Sequence, residues 1–184
     1  MLFRSISVVI PWAHCHPSGL STAVSICARE SIVDGPGLRY TVFVQGCPHG
    51  CPGCHNPGTH DFSGGKTYEI ETLIKDIKEQ KLISGLTFSG GEPFCQAKEL
   101  CAVWDGVGNE KLNLIVYTGY TFEKLLQENN PDKIALLQRA AYLIDGPFVL
   151  SQRDLTLPFR GSKNQRILDV QASLTKGEAV EIEF

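Results

Sequence analysis

Two periods of hydrophobic and polar positions alternate along the chain. Residues 38–44 (LRYTVFV) are rich in β-branched and aromatic side chains and predict a buried strand. The turn signal Asp34-Gly35-Pro36-Gly37 precedes it. Over residues 67–80 the period becomes helical. Ile70, Leu73, Ile74 and Ile77 fall at i, i+3, i+4 and i+7, one helix face, with Thr67 as the expected N-cap. Residues 86–88, 112–117 and 141–144 read as further short strands, and 166–170 as another. Residues 96–104, 122–127 and 132–139 read as helices, the last with Pro131 at its first position.

Strands and helices therefore alternate, which predicts an α/β fold with a mostly parallel sheet. Residues 45–65 form a long aperiodic loop of Gly, Pro, Cys, His and Asn, and loops of that length are often functional. The unusual loops all follow strands, and in parallel α/β folds ligands gather at the strands' carboxyl ends. The cysteine-bearing loop, a Gly-Gly-Glu-Pro turn, a Thr-Gly turn and an Asp-Gly turn are thus expected on one rim. A closed eight-stranded barrel takes roughly 250 residues. With 184 residues the chain fits a partial, open (β/α) barrel.

Composition narrows the class. Hydrophobic residues are 42% and charged residues 20%, an ordinary globular balance. A net charge of −3 leaves no basic footprint for nucleic acid, and no apolar run is long enough to span a bilayer. Residues 1–25 read as an irregular extension or a mis-called start, and residues 26–184 as a single domain. The short apolar run at 6–10 is cut by Pro11 and makes a poor secretory signal. The seven cysteines are odd in number, with three packed into eight positions, a poor disulfide framework. Metal-binding thiols in a reducing, cytoplasmic compartment are the better reading.

Those three are Cys47, Cys51 and Cys54, in C-x3-C-x2-C spacing. Thiolates suit iron–sulfur clusters, zinc or Cu(I). Zinc with His49, His55 or His60 as fourth ligand satisfies the same spacing. So does a four-cysteine electron-transfer cluster completed by Cys95 or Cys101, although both also read as core thiols. Three thiolates on a four-iron cluster instead leave one iron open. Spacing does not choose among these.

The second motif chooses. C-x3-C-x2-C after the first strand, followed by Gly90-Gly91-Glu92-Pro93 after the next, resembles the radical S-adenosylmethionine superfamily. Residues 31–65, LTFSGGEPF at 86–94, VYTGY at 116–120, LIDGPFV at 143–149 and RGSKNQR at 160–166 resemble the anaerobic ribonucleotide reductase activating proteins, in register over roughly residues 27–170. The resemblance implies an oxidoreductase in which Cys47, Cys51 and Cys54 hold a [4Fe–4S] cluster. It implies that the open iron binds S-adenosyl-L-methionine, and that reductive cleavage yields a 5′-deoxyadenosyl radical that makes a glycyl radical on the partner, the large reductase subunit. The cluster and cofactor carry the chemistry, so no catalytic side chain is expected. A reduced flavodoxin or ferredoxin type donor is the implied electron source.

Gly53, Cys54, His55, Gly90, Gly91 and Glu92 are the implied cofactor-binding stretch. Thr118 and Asp145 are implied near the cofactor carboxylate; a turn residue is the alternative for Asp145. Pro147 stands where some relatives have lysine, so that contact does not carry over. Arg39 and the turn before it border the partner loop or serve structure alone. Arg160, Lys163, Asn164 and Arg166 contact the partner or form solvated surface. The competing functions are activation of another glycyl-radical enzyme of the pyruvate formate-lyase type, modification of a small molecule, and a zinc-binding or electron-transfer module.

Overall fold

The computed structural model describes residues 20–184. The strands are β1 (Ser21–Ser31), β2 (Arg39–Val44), β3 (Lys66–Glu69), β4 (Gly85–Gly90), β5 (Asn113–Tyr117), β6 (Tyr142–Asp145) and β7 (Arg166–Asp169). The helices are α1 (Ile70–Glu79), α2 (Ala97–Val107), α3 (Phe122–Glu128), α4 (Pro131–Arg139) and α5 (Val170–Lys176). All seven strands join one sheet, ordered β3-β1-β2-β4-β5-β6-β7. Its centre, β2-β4-β5-β6, is parallel. The outer pairings, β1 with β2 and β3, and β6 with β7, are antiparallel. The fold is α/β, an open sheet consistent with a partial barrel.

Strand alternation sorts the side chains into two faces. Tyr40, Val42, Val44, Leu86, Phe88, Leu114, Val116 and Leu143 pack with the helices in the main core. The face Ile70, Leu73 and Ile77 of α1 is buried there, as its spacing predicts. The other sheet face is smaller and more polar. Ile115, Ile144 and Ile167 form a separate apolar cluster on it. Arg39 lies fully buried beside Thr87. Its guanidinium donates to Thr87 Oγ1 (2.6 Å), Asn113 Oδ1 (2.8 Å) and the Leu86 and Asn113 carbonyls (2.5 and 3.1 Å). Burial without a carboxylate in contact pushes its pKa down to about 10. Arg39 is therefore a structural bolt across β2, β4 and β5.

Three sequence expectations change. The boundary at residue 25 falls inside β1, so the chain is ordered into the sheet from Ser21; residues 1–19 of the expected extension lie outside the described residues. Thr67 does not cap a helix: it sits in β3 opposite Ala23. Helix α1 starts at Ile70, with Glu69 at its N-cap. Val170 opens α5 instead of closing the last strand. In the first two cases the cause is β1, whose mixed pattern carries no clear period but whose edge recruits Lys66–Glu69.

One amide holds β1 in place. Gln96 Oε1 accepts from Thr22 Oγ1 (2.8 Å) and Ala23 N–H (2.7 Å), and Gln96 Nε2 donates to the Ala23 and Gln45 carbonyls (2.8 and 2.9 Å). Replacing it by a similar apolar volume leaves these buried partners unpaired. We expect Gln96→Leu to lower stability by about 2–4 kcal/mol in urea denaturation, with hydrogen exchange rising first in β1.

Candidate active site

The carboxyl ends of β2, β4, β5 and β6 open onto one cleft of about 590 Å³. Strand alternation supplies its floor: Phe43, Ser89 and Tyr117 face it, while their neighbours Val42, Phe88 and Val116 face the helices. Cys47, Cys51 and Cys54 all line it, as do Gly90 and Gly91. The expected rim therefore exists.

The cysteine loop is shaped by backbone and glutamine contacts. Gly46 N–H donates to the Thr59 carbonyl (2.8 Å) and Cys47 N–H to that of His60 (3.1 Å), closing the loop at its base. Gln45 Nε2 spans it, donating to the Gly58 and Asp61 carbonyls (3.1 and 2.6 Å). Gly50 and Gly53 adopt positive φ of 58° and 73°, which lets the chain reverse twice between the cysteines. Cys54 N–H donates to the Cys51 carbonyl (3.1 Å), and Asn56 N–H to Cys54 Sγ (3.4 Å).

All three thiols are free and partly exposed. Burial pushes Cys47 up; Glu92, Cys51 and Cys54 nearby push the same way, against a backbone donor at His49. A thiol coordinated to a metal ionises outright. Among the described residues, no three His, Cys, Asp or Glu side chains gather around a point suited to a single ion. Three free thiols that line one cleft are a donor set that a four-iron cluster takes.

Gly91 is needed before any ligand arrives. A Cβ there would lie 2.4 Å from the Gly46 carbonyl oxygen, and one on Gly90 2.7 Å from the Phe43 backbone. Gly91 N–H donates to Val44 O (2.7 Å) and Glu92 N–H to Gly46 O (2.8 Å). The end of β4 thus lies directly on the first turn of the cysteine loop.

Glu92 has a role that the sequence did not reveal. Its carboxylate is fully buried and does not line the cleft. It accepts from Phe94 N–H (3.0 Å), Gly119 N–H (2.9 Å), Thr118 Oγ1 (2.9 and 3.0 Å) and His49 Nε2 (2.6 Å). Both carboxylate oxygens already take backbone or hydroxyl donors, and the His49 ring nitrogen is read as one more donor to them. His49, considered as a zinc ligand, is instead the strut between the cysteine loop and Glu92. Its ring meets Tyr120 edge-on at 4.6 Å and fills the space over Gly119, where a Cβ would lie 2.4 Å away. Thr118 lines the cleft with its hydroxyl turned to Glu92.

Asp145 is likewise committed. It is fully buried and accepts from Phe122 N–H at the start of α3 (2.8 Å) and from Arg166 (2.9 and 2.5 Å). Only its neighbour Gly146 reaches the cleft. Arg166 also grips Glu123, so this member of the basic segment is a structural tie. His55 lines the cleft, 5.1 Å from the Phe148 ring. His60 also lines it, with a buried Nε2 that has no partner.

Two outcomes follow from these networks. Glu92→Gln turns an amide N–H₂ toward donors; we expect a loss of about 2–4 kcal/mol in urea denaturation. The hydrogen bond from Arg166 holds Glu123 down to about 2, against an ordinary 4.5. A depressed carboxylate stabilises above its ordinary value and loses this as pH falls toward the folded one. Glu123→Gln should therefore flatten the stability drop between pH 4.5 and 2. At neutral pH it should cost under ~1 kcal/mol, because the Glu123 side chain is largely exposed; denaturation midpoints at several pH values check both.

Comparison with known proteins gives the same picture. The family described as "4Fe-4S single cluster domain" matches residues 33–168. The anaerobic ribonucleoside-triphosphate reductase-activating protein of Vibrio cholerae is 39% identical over 145 residues, covering 74% of this chain and 90% of that protein. The protein of that name from Haemophilus influenzae is 35% identical over 144 residues, with the same coverage. That of Escherichia coli K12 is 32% identical over 142 residues, covering 73% and 90%. An iron–sulfur domain matched over residues 33–168 and relatives 32–39% identical over about three quarters of the chain show that the chain belongs to the anaerobic ribonucleoside-triphosphate reductase-activating protein family.

Proposed function

We propose that this chain activates anaerobic ribonucleotide reductase, with Cys47, Cys51 and Cys54 holding a [4Fe–4S] cluster. The observation that carries the reading is that three free cysteines line the same cleft as Gly90 and Gly91. When bound, the cluster supplies the electron that cleaves S-adenosyl-L-methionine reductively, and the 5′-deoxyadenosyl radical then takes hydrogen from a glycine of the large reductase subunit. The protein's part is to bind, orient and exclude water. Cys54, His55, Gly90 and Gly91 line the cleft for the cofactor and Thr118 closes one side, whereas Gly53 does not line it and lies against Leu150. Glu92 and Asp145 act behind them, holding the loops that carry these positions.

The surroundings suit a protein substrate. Val33 and Leu155 line the cleft and are 73% and 71% exposed. Exposed apolar side chains around a reactive mouth suit docking of a protein loop. The electron donor in this reading is a reduced flavodoxin or ferredoxin type protein, reaching the cluster through the exposed turns at Gly50 and Gly53. Among the described residues no helix is long and apolar enough to cross a membrane. Free thiols in this number fit a reducing, cytoplasmic setting.

Anaerobic reconstitution with iron and sulfide should give a brown protein that, with reductant, releases 5′-deoxyadenosine. Co-incubation with the large reductase subunit should then produce a glycyl radical signal in electron paramagnetic resonance. Cys54→Ala should lose iron and cofactor cleavage while keeping its far-ultraviolet circular dichroism. Unfolding of that variant, or a colourless zinc-loaded wild type without cleavage, would instead favour a zinc-stabilised module.

A further inference from the structure

At one end of the sheet β7 has β6 as its only strand neighbour. Its outer edge is taken by the segment that follows α5. Asp169 N–H donates to the Val180 carbonyl (3.0 Å) and Ile182 N–H to that of Ile167 (2.8 Å), with Leu168 and Glu181 bridged antiparallel. Val180 N–H donates to Ser173 Oγ (2.9 Å), which ties the segment back to α5. Alternation then turns Ile182 and Phe184 to the cleft face of the sheet. Ile182 packs on the Ile115, Ile144 and Ile167 cluster there. Phe184 meets the Tyr142 ring edge-on at 4.9 Å.

The same ring reaches the wall of the cleft. Phe184 meets Phe159 edge-on at 5.7 Å, and Phe159 lines the cleft together with Leu155, Leu157 and Arg160. These four sit on the tip of a hairpin-like loop between β6 and β7. Its base is closed by the Arg153–Ser162 bridge and by two backbone bonds, Asp154 N–H to Gly161 O (3.2 Å) and Lys163 N–H to Gln152 O (2.9 Å). Beyond that base, residues 155–160 belong to no strand or helix. Phe159 adopts φ of 57° although it is not glycine. A bulky residue is strained there and persists only where its surroundings hold it. Phe184 supplies such a hold, with the sheet on one side of its ring and the loop tip on the other. It lies past residues 33–168, the matched iron–sulfur domain.

We propose that Phe184 is a positioning residue for the protein substrate. By bracing Phe159 against the sheet it holds the 154–161 tip as a fixed wall, against which the partner's glycine-bearing loop docks. The proposal rests on the function proposed above. Phe184 itself does not line the cleft and is 41% exposed. Its effect is therefore on the shape of the wall, and the cluster and cofactor positions are untouched. A loop already held in its docking shape loses less freedom when the partner binds.

Phe184→Ala should raise the concentration of large reductase subunit that gives half-maximal glycyl radical formation by about three- to tenfold, the range that an edge-to-face ring pair supplies. The maximal rate, the iron content and 5′-deoxyadenosine release without the partner should match wild type. Phe184→Tyr, which keeps the ring, should restore the half-maximal concentration. An unchanged half-maximal concentration overturns the assignment, as does a fall in every activity that Phe184→Tyr does not recover. Hydrogen exchange on the reconstituted chain, without partner, reads the brace directly. Phe184→Ala should speed exchange at residues 154–161 and leave β4 and β5 protected, and adding Phe159→Ala should speed it no further. Unchanged exchange at the tip, or loosening of the whole sheet, also overturns the assignment. A wild type that forms no glycyl radical on the reductase defeats the functional reading and the docking role with it, whereas the exchange result still decides whether Phe184 braces the tip.

Discussion

The site depends on one buried carboxylate. Glu92 gathers donors from three separated parts of the chain: His49 in the cysteine loop, Phe94 at the start of the next turn, and Thr118 with Gly119 after β5. A buried carboxylate left unpaired is costly, and one met by several donors becomes a rigid junction. Because the donors come from successive strand ends, the junction fixes these ends relative to one another. The cysteine loop, itself without regular structure, is thereby held against the parallel sheet.

The glycines before Glu92 make that junction reachable. Gly91 lies so close to Gly46 that a side chain would collide with its carbonyl. The two backbone bonds there, Gly91 to Val44 and Glu92 to Gly46, extend the β2–β4 pairing into the loops. Bare backbone is thus required for packing and, in the function proposed, left open for a cofactor. The same economy holds on the far side, where Asp145 and Arg166 anchor α3 and β7 while Gly146 faces the cleft.

Much of this was legible in the residues. The parallel core and its four loops followed from period and order, because short strand-forming runs that alternate with helical ones must pack an apolar sheet face under the helices and leave polar loops between. The helical face of α1 was readable from Ile70 onward for the same reason. The β1–β3 pair at one end of the sheet was not. Residues 21–31 and 66–69 alternate weakly, since an edge pair has one protected face and little apolar area to declare itself. Asp169 and Gly177, which cap α5, carried a signal that a seven-residue helix left faint.

At the site, the sequence by itself determined the chemistry on offer: three thiols at fixed spacing and a glycine pair after the next strand. Those features are local, so order and spacing suffice to record them. Only the tertiary structure decided which polar residues face the cleft and which stand behind it. Glu92 and Asp145 turn inward to donors far away in the chain, and His49 becomes a strut. Such roles depend on which distant donors and acceptors meet, and hydrogen-bond pairing across a fold leaves no period in the sequence.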